Sequence, residues 1–305
     1  MKLSVIVAAY NAEKTIGRCL DSLLCAVQED YEIIVVNDGS KDGTGEIVKA
    51  HAAAHPEIKL VETENGGQGR ARNIALEKAE GEFIGFCDSD DFVLPDMFEK
   101  MLRAAEREKA DIAICDFYRV CGEEKNYEKA ALQNHPLSSA GAVWNKLFRR
   151  EIIGDARFAE GLWYEDLLFS GKLLMKSRKT VFINEALYCY VFGHSSTMTN
   201  SNSQKNLDII KVVEELRQYN SEMDLGADTD FLVINHVLLE AVKRVAVQNS
   251  PERDEVLSRL LAYVKDCIPK LSRCGAFRKE SRNRRIIMGL LYGGHIELAM
   301  RILKI

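Results

Sequence analysis

Three carboxylates fall within four residues in the stretch FIGFCDSDDF, at Asp88, Asp90 and Asp91, directly after an apolar run. Each raises the cost of ionising its neighbours, so positive charge is expected to meet them. Aspartates that converge on one point can hold Mg2+ or Mn2+ through oxygen ligands, and such ions keep waters and bridge to substrate phosphates. The bland alternative is a surface acidic turn.

Three further stretches carry groups able to do chemistry. NDGSKDG, Asn37 to Gly43, places Asp38 after a β-branched run; taken alone it is a turn, built from the residues that turns need. An EF-hand is excluded because Ser40 stands where that loop requires Asp or Asn and the closing Glu is missing. In NGGQGRARN, Asn65 to Asn73, Arg72 occupies the place of the third glycine of a dinucleotide fingerprint, which therefore fails. What remains is a loop feeding a helix N-terminus, with Arg70 and Arg72 either meeting phosphate or ribose or forming a solvated pair. WYEDLLF, Trp163 to Phe169, sets Glu165 and Asp166 at a helix start beside aromatics. They either complement the helix dipole or supply a general base tuned by its surroundings.

The elements that must position these groups alternate between β-rich and helical patterns. Strands are predicted at Leu3 to Ala8, Glu32 to Val36, Lys59 to Glu62, Phe83 to Cys87 and Ile112 to Phe117. Helical periodicity fills Ala12 to Cys25, Gly43 to His55, Gly69 to Glu80 and Pro95 to Lys109. Such alternation predicts an α/β fold with a parallel sheet and crossover helices. The loops AAYN, NDGSKDG and CDSDD follow three of the strands, and ligand crevices in such sheets lie beyond the carboxyl ends, so these loops should meet. Cys121 to Ser139 reads as polar and irregular, AVWNKLFRREII and WYEDLLFSGKLLMKS as two short helices, and TVFINEALYCYVF as a strand. Beyond about Ser195 the pattern is helical, giving a catalytic domain at 1–200 and a helical region at 201–305.

Composition narrows the class. The 305 residues are 47% hydrophobic and 29% charged, as in soluble globular proteins. A net charge of -5 argues against a nucleic-acid binder that relies on bulk positive charge. The eight cysteines are scattered without a CxxC pair or a leader, which reads as reduced thiols in the cytoplasm. No apolar run has the roughly 20 residues of a spanning helix. From Lys270 to Arg285 seven basic residues face a single Glu280, just before IIMGLLYGG. That pairing suits either an anionic membrane surface, here the inner face of the cell membrane, or a solvated face of a packed helix.

The ordered set SVIVAAYNAE, VVNDGSKDGT, ENGGQGRARN, GFCDSDDF, WNKLFRR and WYEDLLF resembles family 2 glycosyltransferases of the GT-A fold, over about the first 195 residues. The resemblance implies a Rossmann-like, mostly parallel sheet with flanking helices, here with a C-terminal helical extension. It also implies metal-dependent, inverting transfer of a sugar from a nucleotide-diphospho-sugar, most often a UDP-sugar, to the hydroxyl of a glycan or lipid-linked acceptor. Bacterial surface polysaccharide or glycolipid synthesis is the implied setting, and Mn2+ or Mg2+ the cofactor.

Carried onto this chain, the resemblance gives Asp38 the nucleobase, with Ala8, Ala9, Tyr10 and Glu13 lining base and ribose, and sets Asn65, Arg70 and Arg72 on the nucleotide. Asp88 faces the ribose and the metal's water shell, Asp90 coordinates the metal, and Asp91 supports the loop. Asp166 matches the base, while Trp144, Asn145, Lys146 and Glu165 shape the acceptor side. Two departures stand out: Ala8 replaces a usual proline, and GHSSTMT replaces an Arg-rich stretch, so that His194 either takes over a diphosphate or metal contact or is a plain loop histidine. The rival readings are a sugar-nucleotidyltransferase, whose glycine-rich basic loop AAYNAEK lacks, and a non-catalytic sugar-nucleotide or glycan-binding module.

Overall fold

The computed structural model describes residues 1–27, 30–130, 136–139, 141–192 and 204–303. The chain divides into two compact units, one made of Met1–Gly161 with Phe169–His194, the other of Leu162–Leu168 with Ser195–Ile305.

In the first unit the β-branched runs form β1 (Leu3–Ala9), β2 (Tyr31–Asp38), β3 (Ile58–Thr63) and β4 (Phe83–Asp88). They lie in the order β3-β2-β1-β4, all parallel, with Val5 opposite both Ile33 and Gly85. β1 and β2 are apolar on both faces because helices cover the sheet, as parallel sheets require. The crossovers are α1 (Ile16–Leu24), α2 (Thr44–Ala54) and α3 (Gln68–Lys78). Helix α1 buries Ile16, Cys19, Leu20 and Leu23, the i, i+3, i+4, i+7 stripe of an amphipathic helix. Each of its fully buried Ile and Leu side chains contributes about 1.5–3 kcal/mol.

Beyond β4 the sheet continues through β5 (Phe92–Val93), α4 (Met97–Glu108), β6 (Ile112–Cys121), β7 (Glu124–Glu128), β8 (Lys146–Arg149), α5 (Arg150–Ile153), α6 (Glu165–Lys176) and β9 (Thr180–Val191). The order is β4-β8-β6-β9-β5, with β7 paired to β6. β6 and β9 are parallel, whereas β5, β7 and β8 run antiparallel to their partners. The expected α/β architecture with flanking helices and a helical C-terminal region is therefore present, in a sheet that is parallel in its first half and mixed in its second. Gly85 lies where α4 crosses the sheet: a Cβ there would stand 2.4 Å from the Phe98 ring.

Two expectations are corrected. AVWNKLFRREII is not a short helix: Trp144, Leu147, Phe148 and Ile152 mimic a helical stripe, but Leu147 and Phe148 instead fill β8 between β4 and β6, and only Arg150–Ile153 turns helical. Within 121–139, Glu124–Glu128 is a strand hairpinned onto β6, its turn made by Gly122 at φ +59°, and Pro136–Ser139 is a 3-10 turn.

Among its described residues the second unit, the first turn of α6 included, holds helices and turns and no strand. It comprises α7 (Asp208–Glu222), α8 (Asp230–Leu232), a π-helical stretch Val233–Ala241 running into α9 (Val242–Ala246), α10 (Arg253–Cys267), α11 (Gly275–Lys279), α12 (Arg282–Tyr292) and α13 (Ile296–Leu303). Val212, Val213 and Leu216 of α7 and Val256, Leu260 and Val264 of α10 supply its core.

Candidate active site

The loops after β1 and β2 bond directly to each other, and the loop after β4 is tied to the same strand ends through side chains of α1 and α3. After β1 the Asn11 N–H donates to Ser40 Oγ at 3.0 Å, and Asn11 Oδ1 accepts the Lys41 N–H at 2.8 Å. Glu13 accepts the Gly43 N–H at 2.9 Å and donates its own to Asp42 at 3.1 Å. Ala8 is half-buried and Ala9 buried at the strand end, while Tyr10 stands 51% exposed above them.

Asp38 ends β2, buried, and organises the next loop. Its Oδ1 accepts the Gly66 N–H at 2.9 Å, its Oδ2 the Gly67 N–H at 2.8 Å, and its carbonyl the Asn65 side-chain amide at 3.0 Å. A carboxylate has about four acceptor positions, so room for further donors remains. Gly39 must be glycine, since its φ is +70° and a Cβ would lie 2.6 Å from the Asn65 nitrogen. Gly67 then opens α3.

That helix aims two donors at the acid loop. Arg72 is 1% exposed, donates to Asp88 Oδ1 at 2.8 Å and lies over the Phe158 ring at 5.2 Å. Gln68 reaches the same oxygen at 3.1 Å. Arg72 is thus a buried partner of Asp88 and not one of a solvated pair. Arg70 donates to the Glu64 carbonyl at 2.9 Å.

Asp88 ends β4, and the Asp91 N–H closes a turn onto its carbonyl at 3.1 Å. Arg18 of α1 donates to the Asp90 carbonyl at 2.6 Å. Asp91 points inward, where it accepts the Tyr188 hydroxyl and the Val191 N–H, each at 2.7 Å. Burial, and after it the negative charges of Asp88 and Asp90, push the Asp91 carboxyl up to about 9.

Nothing in the sequence pointed to Tyr188. It is fully buried, and its ring stacks on Trp144 at 4.4 Å, with Tyr190 stacked on the same indole at 5.6 Å. Asn145 donates to the Cys115 carbonyl at 3.1 Å. Lys146, also fully buried, gives its ammonium to the carbonyls of Ser139 and Ala142 and to Asn145 Oδ1. Its visible work is to hold the segment before β8.

Glu165 and Asp166, both half-buried, form the first turn of α6 within the second unit. Tyr164 before them takes φ +68°, uncommon for a non-glycine residue. It is fixed by a bond from its hydroxyl to Asn206 at 3.1 Å and by Arg244 over its ring at 5.0 Å, while Asp208 accepts the Trp163 N–H at 3.3 Å. His194 lies outside the described residues.

For a divalent ion, Asp88 and Asp90 offer hard carboxylate oxygens suited to Mg2+ or Mn2+. Asp88 commits Oδ1 to Arg72 and Gln68, which leaves Oδ2. Among the described residues no set of three or more His, Cys, Asp or Glu side chains forms a closed metal site. Two such oxygens make a partial donor set, which suits an ion that keeps several waters, as Mg2+ usually does.

Comparison with known proteins gives a consistent answer. The sequence model of Glycosyl transferase family 2 matches residues 4–159, just over half of the chain. The glycosyltransferase EpsJ of Bacillus subtilis is 29% identical over 94% of this chain and 91% of its own. Among solved structures, S. aureus TarS 1-349 in complex with UDP-GlcNAc superposes with a TM-score of 0.72 at 21% identity, covering 99% of this chain and 90% of that one. The mannosyltransferase PcManGT from Pyrobaculum calidifontis, in complex with GDP-Man and Mn2+, superposes at 0.59 with 18% identity, over 98% and 85%. These last two likenesses establish a shared fold.

Proposed function

The chain belongs to glycosyltransferase family 2, and from that premise we propose that it moves a sugar from a UDP-sugar to an acceptor hydroxyl, with inversion and with Mn2+ or Mg2+, in the assembly of a bacterial surface polysaccharide or glycolipid. The observation that carries the reading is the meeting of Asp38, the 65–67 loop and the acids of 88–91 at the carboxyl ends of β2 and β4, on either side of β1. A nucleoside diphosphate spans such a crevice, with its base toward Asp38 and its phosphates toward Asp88 and Asp90. UDP-GlcNAc bound to TarS and GDP-Man with Mn2+ bound to PcManGT support a nucleotide-sugar donor and a divalent ion.

Asp90 would hold the ion, with Asp88 toward the ribose and the waters the ion keeps. When bound, that ion stabilises charge developing on the leaving diphosphate. Arg72 serves the donor through Asp88, holding the carboxylate in one orientation. Ala8, Ala9, Tyr10 and Glu13 line the base and ribose, with Asn65 and Arg70 beside them. The acceptor-side roles of Trp144, Asn145, Lys146, Glu165 and His194 rest on the family resemblance. Asp166 takes the proton from the acceptor hydroxyl as its oxygen attacks the anomeric carbon from the face opposite the diphosphate.

Asp166→Asn separates this reading from a non-catalytic binding module. Sugar transfer is expected to fall by at least about a hundredfold while UDP binding by calorimetry stays at the wild-type value. Unchanged transfer would reject the assignment. The basic face of the second unit is read as a peripheral contact with the inner face of the cell membrane. On α12, Arg282, Arg285 and Ile286 share one exposed face, with Ile286 48% exposed.

A further inference from the structure

Strand β9 grips the acid loop at three points. Its backbone pairs with β5 directly after the loop, Val93 opposite Tyr188 and Phe92 opposite Cys189. The Val191 N–H donates to Asp91 Oδ1 at 2.7 Å. Between these lies the Tyr188 hydroxyl, which donates to Asp91 Oδ2 at 2.7 Å and accepts the Asp88 N–H at 3.1 Å. One oxygen thus joins both ends of the Asp88–Asp91 turn to a strand about a hundred residues away. The tyrosine ring is itself fixed by Trp144, stacked at 4.4 Å with planes 19° apart.

We infer that Tyr188 is a positioning residue for the nucleotide-sugar site, which sets the direction of the Asp88 and Asp90 carboxylates by holding the turn between them from below. The inference rests on the reading of those acids as the ion and diphosphate site. Tyr188 touches neither substrate nor ion: it is fully buried and acts through Asp91 and the Asp88 amide. Its hydroxyl is separable from its bulk. Tyr188→Phe keeps the stack on Trp144 and the β5–β9 pairing, yet leaves the Asp88 N–H without its acceptor and Asp91 Oδ2 without its donor. The loop stays in place but loses its aim.

The test is calorimetric binding of UDP to the full chain, with and without MnCl2, beside thermal unfolding. Wild type is expected to bind UDP more tightly with Mn2+. In Tyr188→Phe, metal-free UDP affinity stays the same and the Mn2+ enhancement falls roughly five- to a hundredfold, the range for leaving a buried hydrogen-bonding group unsatisfied. Asp91→Asn lowers the same enhancement, and because both residues act on one turn the double variant is no worse than the weaker single one.

A wild type whose UDP binding ignores Mn2+ removes the ion reading, and this inference with it. A responsive wild type with an equally responsive Tyr188→Phe overturns the positioning role alone. So does a variant that loses metal-free binding and thermal stability together, the mark of a merely structural tyrosine, and so do additive losses in the double variant.

Discussion

Asp38 offers the sharpest test of how the crevice is built. Its two carboxylate oxygens accept the N–H groups of Gly66 and Gly67 at 2.9 and 2.8 Å. A hydrogen bond to a charged group contributes about 1.5–3 kcal/mol. Both glycines are exposed, so water replaces part of what is lost and the lower end applies. Asp38→Asn keeps one acceptor oxygen and turns a donor toward the other N–H, a loss of about 1.5 kcal/mol. Asp38→Ala loses both, about 3 kcal/mol. The chain has two tryptophans, Trp144 and Trp163, one in each unit. In a Trp163→Phe background, urea unfolding followed by the fluorescence of Trp144 therefore reports the first unit. The same two variants should weaken UDP binding in the same order, since the loop that Asp38 holds faces the nucleotide in this account. Stabilities within about 0.5 kcal/mol of the parent, or an alanine variant no weaker than the asparagine one, would refute the idea that Asp38 shapes the 65–67 loop.

Glu32 gives a pH prediction. Burial pushes its carboxyl up, but Lys59, the Ser4 hydroxyl and the Glu80 N–H outweigh burial and leave it below the ordinary 4.5. A lowered carboxyl stabilises the fold above its ordinary value and stops doing so as pH falls through the lowered one. The urea midpoint of wild type should therefore drop on acidification below 4.5, and Glu32→Gln should flatten that limb while being less stable at neutral pH; equal stability at pH 7 would count against it. For the basic face, wild type should co-sediment with phosphatidylglycerol-rich vesicles and not with phosphatidylcholine alone, and Arg282→Glu with Arg285→Glu should lower that partitioning at least about tenfold. Indifference to lipid charge, or to the two substitutions, would leave the solvated-face reading in its place.

The fold was largely legible, and the site in part, for reasons that differ residue by residue. Val5 to Val7 and Ile33 to Val36 are β-branched runs buried on both faces, and in a parallel sheet each such strand must be followed by a loop at the same edge. The meeting of AAYN, NDGSKDG and CDSDD follows from that rule alone. Leu147 and Phe148 misled because Trp144 and Ile152 complete a helical spacing around them, while their four-residue strand is too short to show a period of its own. Lys146 carries no mark of burial, since the oxygens it meets come from loop backbone and a neighbouring amide whose fold no pattern predicts. Tyr188 is the extreme case. It sits in an apolar strand and acts on carboxylates 97 residues away, a contact set by the β5–β9 register and by nothing local.

The central claim is that a divalent cation joins Asp90 to the diphosphate of the donor. Crystals grown with UDP and MnCl2, measured at a wavelength where manganese scatters anomalously, should give a peak between the diphosphate and the Asp90 carboxylate, at the roughly 2.0–2.2 Å expected for a small hard cation on oxygen. Ordered UDP in the crevice with no anomalous peak beside Asp90 would contradict it.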